Sequence, residues 1–137
     1  MTSYVVDTSV TLAWYLDEEF SRSAREWQDR LLKGSVRFLV PSLHYWEFAN
    51  ALRTLAAREE IAAEVAHEVW ELHLTAPLEQ AEPDRREVLR VALEYGATAY
   101  DAAFITLALS HDVPLVTAER TTTRWVAKLG ERIEAVR

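Results

Sequence analysis

Short β-type runs alternate with stretches of helical periodicity along the whole chain, and that alternation leaves few folds open. Tyr4-Val5-Val6 closes a strand over about 3–6, Val36–Val40 is a second, and Pro114–Thr117 is another. Pro77–Gln80 and Arg132–Val136 read as shorter strands, the latter at an edge. Between them the spacing predicts helices over about 9–16, 20–33, 43–58, 61–74, 84–96, 99–111 and 119–129. Ala24, Trp27, Leu31 and Leu32 mark one face of the second helix, which stops before Gly34. Ser9 and Ser42 stand where helix N-caps are expected, and Asp84 with Glu87 has capping-box spacing. Strands alternating with helices predict βαβ units and a parallel sheet covered by helices. The 137 residues favour one compact domain, and with half of them hydrophobic there is material for a core. Only 3 Gly and 4 Pro leave little room for linkers.

Three acids interrupt these apolar elements. Asp7 ends the first strand, Glu47 lies within the helix around Leu43–Leu52, and Asp101 opens the apolar helix Asp101–Leu109. An unpaired buried carboxylate costs several kcal/mol, so such groups persist mainly when paired, protonated or bound to a cation. Ligands of parallel α/β folds bind outside the carboxyl ends of the strands. Asp7 sits at such an end, Glu47 follows the second strand, and Glu119 comes two residues after Thr117. Asp101 joins them if its helix enters from the same side. The expectation is one acidic pocket suited to a hard divalent cation. Helical spacing puts Glu47 on a face with Leu43, Asn50, Ala51 and Thr54, turning it inward with Asn50 one turn behind as a supporting donor.

The net charge of -7 argues against simple electrostatic binding to nucleic acid or anionic membrane, although a bound cation reverses the sign of an acidic site. With no cysteine there is no disulfide and no zinc–thiolate site. No apolar run approaches the roughly 18 residues of a membrane span, and the first residues lack the pattern of a secretion signal. The expectation is a cytoplasmic protein. His44, His67, His73 and His111 show no ligand-like clustering and read as structural or surface residues. Trp14, Tyr15 and Leu16 read as core, or else as part of a groove for a partner helix.

Four segments, in order, resemble the motifs of PIN-domain ribonucleases of the VapC toxin type. Val5-Val6-Asp7-Thr8-Ser9-Val10 resembles the opening strand and first acid, and Trp46-Glu47-Phe48-Ala49-Asn50-Ala51-Leu52 the second acid followed by Asn. Thr98-Ala99-Tyr100-Asp101-Ala102-Ala103-Phe104 resembles the Tyr-Asp-Ala motif of the third acid, and Leu115-Val116-Thr117-Ala118-Glu119-Arg120 the closing motif. That closing motif usually carries Asp where this chain has Glu119, so a direct metal contact there is less secure than at the other three.

The resemblance implies a single PIN domain over 1–137, an α/β/α sandwich around a parallel sheet of four or five strands, usually dimerised with a second copy. It also implies Mg²⁺ or Mn²⁺ held by Asp7, Glu47, Asp101 and Glu119, endonucleolytic cleavage of structured RNA (tRNA or rRNA), and neutralisation by a cognate VapB-type antitoxin. Thr8 and Ser9 are placed to orient water or a phosphate oxygen. Arg120 and Arg124 would lie near the mouth as RNA contacts. For each acid the plainer alternative is a helix cap, a solvated strand end or an acid answering a helix dipole. Two rival functions follow. A catalytically silent PIN fold would bind RNA or protein without cutting. A signalling receiver domain needs a Lys at a strand end, and neither Lys33 nor Lys128 is there.

Overall fold

The computed structural model describes residues 1–137. Five strands form one sheet: β1 (Thr2–Val6), β2 (Val36–Val40), β3 (Glu79–Gln80), β4 (Leu115–Thr117) and β5 (Ile133–Ala135). Their order is β3-β2-β1-β4-β5 and every pairing is parallel. Seven helices connect them: α1 (Thr8–Leu12), α2 (Ser21–Leu32), α3 (Leu43–Ala57), α4 (Ala63–Leu74), α5 (Arg85–Tyr95), α6 (Ala99–His111) and α7 (Arg124–Leu129). This is the expected three-layer α/β/α sandwich, with five strands. No helix is long and apolar enough to cross a membrane.

Alternation along β1 explains the layers. Tyr4 and Val6 point to a cluster with Val10, Trp14, Trp27 and Phe38, under α1 and α2. Val5 points the other way, to a cluster with Leu39, Leu115, Ile105 and Trp125 under α5, α6 and α7. Both faces of the central strands are therefore apolar, as a parallel sheet covered on both sides requires. A third cluster joins Phe48, Leu52 and Val69 in the α3–α4 hairpin and leans on Leu12, Tyr15 and Leu16. Phe38 is fully buried, with its ring 6.0 Å from those of Trp14 and Trp27. Phe38→Ala is expected to cost about 3–5 kcal/mol, measured by denaturant unfolding, because Trp14, Trp27 and Tyr4, the last with its ring 6.3 Å away, cannot collapse into the hole.

Several local readings change. Asp7, not Ser9, is the N-cap of α1: its carboxylate accepts from the Ser9 amide at 2.8 Å. Ser42 makes no side-chain cap, and its amide donates to Glu82 instead. Asp84 does cap α5, through the Arg86 amide, but Glu87 turns to Arg90 rather than back to the cap. The buried stripe of α3 is His44, Phe48 and Leu52, so Glu47 lies on its flank and not along its centre. α7 begins at Arg124, five residues later than its periodicity suggests.

Candidate acidic active site

The register around β1 brings the ends of the chain together. β1 pairs with β2 on one side and β4 on the other, so connections leave in opposite directions at this point. A crevice opens at such a switch point, at the carboxyl ends of the strands. Asp7 follows Val6 there, and its amide donates to the Val116 carbonyl at 3.0 Å. That extension of the ladder sets Asp7 beside Thr117, whose hydroxyl donates to Oδ2 of Asp7. Oδ1 accepts from the Ser9 amide and, at 2.5 Å, from the Ser9 hydroxyl. Thr117 Oγ1 accepts in turn from the Glu119 amide at 3.0 Å, fixing the turn that carries the fourth acid.

The other acids arrive on helices. α3 brings Glu47, whose Oε1 accepts from the Thr8 hydroxyl at 2.9 Å. α6 brings Asp101 in its first turn, where Thr98 caps the helix by accepting from the Asp101 amide at 3.0 Å. Asp7, Glu47, Asp101 and Glu119 line one cavity of about 280 Å³ with Thr8, Ser9 and the apolar walls Leu12, Phe104, Leu115 and Trp125. Asn50 and Arg120 do not line it: both are exposed, and neither side chain bonds to an acid of the cavity. Arg124 stands outside it as well, packed against Gly96.

Three carboxyls in this cavity are harder to ionise than usual. Burial is the largest cause at Asp7, opposed by the hydrogen bonds from Ser9 and Thr117 and reinforced by the charge of Asp101. Burial also raises Glu47, against the Thr8 hydrogen bond and with the charges of Asp7 and Asp101. Asp101 is raised by burial, eased by the Thr98 hydroxyl and raised further by Glu119. The acids thus lie within electrostatic reach of one another in a partly desolvated space. Perturbed groups of this kind in a cleft make it a candidate functional site.

The donor set is all oxygen, which fits a hard cation. No three acidic or histidine side chains converge closely enough to enclose an ion by themselves.

Two of the histidines read as structural or surface are structural, and the sequence reading did not bring them together. His44 and His73 are fully buried and touch, Nε2 to Nε2, at 2.8 Å. His44 also reaches Thr8 through Nδ1 at 3.1 Å, directly behind the Thr8–Glu47 bond. They are 29 residues apart on different helices, so spacing within one helix gave no sign of them. The available signal was that both sit at the end of the α3–α4 hairpin remote from its turn.

Residues 4–125 match the family model of the PIN domain. Ribonuclease VapC3 of Pyrobaculum aerophilum is 30% identical over 120 residues, which is 85% of this chain and 88% of that protein. Among solved structures, PAE2754 from Pyrobaculum aerophilum superposes with a TM-score of 0.74 at 27% identity, over 96% of this chain and 83% of that one. VapBC2 from Rickettsia felis, solved bound to a DNA fragment from their promoter, gives a TM-score of 0.65 at 13% identity, with 98% of each chain covered. FitAcB from Neisseria gonorrhoeae gives 0.62 at 16% identity, over 93% of this chain and 94% of that one, and like the Rickettsia structure it speaks for the fold alone.

Proposed function

This chain belongs to the PIN-domain family and is a homologue of a VapC ribonuclease, and from that premise we propose that it is a Mg²⁺- or Mn²⁺-dependent endoribonuclease acting as a toxin on structured RNA. The observation that carries the reading is the meeting of four carboxylates, from four separate segments, in one cavity at the switch point of the sheet. In this reading the whole chain acts as one PIN domain, pairs with a second copy, and is silenced by a VapB-type antitoxin in the cytoplasm.

Asp7, Glu47 and Asp101 would hold the cation, with Glu119 reaching it directly or through water. A bound Mg²⁺ or Mn²⁺ supplies an activated water and neutralises charge on the scissile phosphate. The chain's own residues set the rest. Ser9 and Thr117 hold both oxygens of Asp7, which leaves one of its roughly four acceptor sites, on Oδ2, for a cation. Thr8 holds Glu47 from one side. Leu12, Phe104, Leu115 and Trp125 restrict water, which strengthens each charge interaction inside. Arg120, exposed just beyond Glu119, is placed to meet RNA phosphates outside the rim. Attack by water at phosphorus with departure of the 3′ oxygen leaves 5′-phosphate and 3′-hydroxyl ends.

The test is end mapping on total RNA treated with the purified protein in Mg²⁺, in EDTA, and with Asp101→Asn. New 5′-phosphate ends that need both the cation and Asp101 are expected. An uncut RNA pool at every cation concentration, with folded protein, would favour the silent binding fold instead.

A related expectation concerns stability. A cation that neutralises mutually repelling, partly buried carboxylates binds the folded chain only. Millimolar Mg²⁺ or Mn²⁺ should therefore raise the melting temperature at pH 7.5, by about 2.7 kcal/mol of stability at a hundred times the dissociation constant. Asp101→Asn should lose most of that gain in a thermal-shift titration.

A further inference from the structure

We propose that Tyr15, His73, His44 and Thr8 form a polarised hydrogen-bond relay ending on Glu47, which makes His44 and His73 positioning residues of the acidic site. The inference deepens the nuclease reading and rests on Glu47 belonging to that site.

The chain of contacts is continuous. Tyr15 Oη lies 2.8 Å from Nδ1 of His73, His73 Nε2 lies 2.8 Å from Nε2 of His44, His44 Nδ1 lies 3.1 Å from Thr8 Oγ1, and Thr8 donates to Glu47 at 2.9 Å. Its direction follows from counting protons. An ionised carboxylate only accepts, so the single hydroxyl proton of Thr8 goes to Glu47. Thr8 must then accept from His44, which places the proton of that ring on Nδ1. A neutral imidazole carries one such proton, so His44 Nε2 is bare and accepts from His73. The His73 proton is thereby on Nε2, and its bare Nδ1 accepts from Tyr15. Two bare nitrogens, or two protonated ones, could not sit 2.8 Å apart. One boundary condition, the donation of the Thr8 hydroxyl to Glu47, sets all four protons.

The surroundings hold this arrangement. Both imidazoles are fully buried, and the Phe48 ring stacks on His73 at 3.9 Å and 8°. Trp14, Tyr15 and Tyr45 pack around the pair through their edges and faces. No carboxylate or cation bonds to either ring. Burial favours neutral rings, pushing His44 down to about 3 and His73 down to about 4. Hydrogen bonds in series polarise one another, so the relay presents Thr8 to Glu47 as a fixed and strengthened donor. The plain alternative is a pair of core histidines that merely satisfy each other, without influence on the site.

Two measurements separate these. The first uses the full metal-free chain labelled with ¹⁵N at histidine. Expected are a neutral His44 protonated at Nδ1, a neutral His73 protonated at Nε2, and scalar coupling between the two Nε2 atoms. Thr8→Val, at the far end, should shift the His73 nitrogen signals two links away. The opposite tautomers, or His73 signals unmoved by Thr8→Val, overturn the relay. The second is steady-state cleavage. His73→Phe should lower kcat about tenfold with KM unchanged, a loss typical of residues that orient a ligand. His73→Gln, whose amide can donate to His44 and accept from Tyr15, should recover most of it. Equal kcat for wild type, Phe and Gln variants overturns the positioning role, and so does an equal loss in both variants. If the wild type cuts no RNA, the nuclease reading fails while the spectra still decide the relay.

Discussion

Asp7→Asn is expected to abolish RNA cleavage, by a factor on the order of 10³ or more, and yet to leave the metal-free protein slightly more stable than wild type. Both halves come from the same carboxylate. It is a proposed cation ligand, and it stands at the centre of the hydroxyl and amide bonds that tie β1, α1 and β4 together. Asn keeps an oxygen for Ser9 and turns its amide toward Thr117, at the cost of redirecting one hydroxyl proton. It also removes a charge that burial and Asp101 make unfavourable. Taking the electrostatic relief as the larger effect, the melting temperature in EDTA should rise by roughly 3 °C, equivalent to about 1 kcal/mol. The Mg²⁺-dependent rise should vanish. A melting temperature several degrees below wild type would mean that capping outweighs repulsion at this position.

The second large effect is on acid stability. His44 and His73 are neutral when folded, held down to about 3 and about 4 mainly by burial, with His73 itself opposing a charge on His44. In the unfolded chain they take up protons near 6.5. Below that pH the unfolded state therefore binds more protons, and folding loses about 1.4 kcal/mol per histidine for each pH unit until the buried rings titrate. Asp7, Glu47 and Asp101 act with the opposite sign. Their folded values are raised, so the folded state binds more protons above the unfolded values near 4, and their contribution falls as pH rises through the raised range. Between about pH 4 and 6.5 the two contributions therefore oppose each other, the histidines favouring the folded chain as pH rises and the carboxyls as it falls. Denaturant midpoints in EDTA across this range separate them through the difference between wild type and His44→Phe/His73→Phe. The double variant should lose the histidine contribution and so gain stability relative to wild type as pH falls below about 6.5. A difference between the two proteins that does not change with pH would show that the rings do not stay neutral in the fold.

The parallel sheet and the rim that carries the acids were legible because they follow from strong signals. A β-branched run such as Val36–Val40, apolar but for Arg37 and closed by Pro41, reads as a buried strand, and in a βαβ chain the carboxyl ends of such strands share an edge. What escaped depended on cross-chain partners. Ser9 has the composition of a cap, but the Asp7 carboxylate reaches the α1 amide first. Asn50 shares a helical row with Glu47 by spacing, yet α3 is rotated so that His44, Phe48 and Leu52 face inward and Asn50 faces solvent. A helix with apolar residues on most of its circumference has no unique inward face until its neighbour is known. That neighbour is α4, and with it comes His73.

The position of β4 has a consequence for the timing of synthesis. β1, with Asp7, leaves the ribosome first, but its partner in the site is a strand that begins more than a hundred residues later. Until Leu115–Thr117 has been made and has slid in beside Val5 and Val6, Asp7 lacks Thr117 and the turn bearing Glu119 does not exist. A fragment that stops before β4 therefore lacks the pocket in which Asp7, Glu47, Asp101 and Glu119 meet.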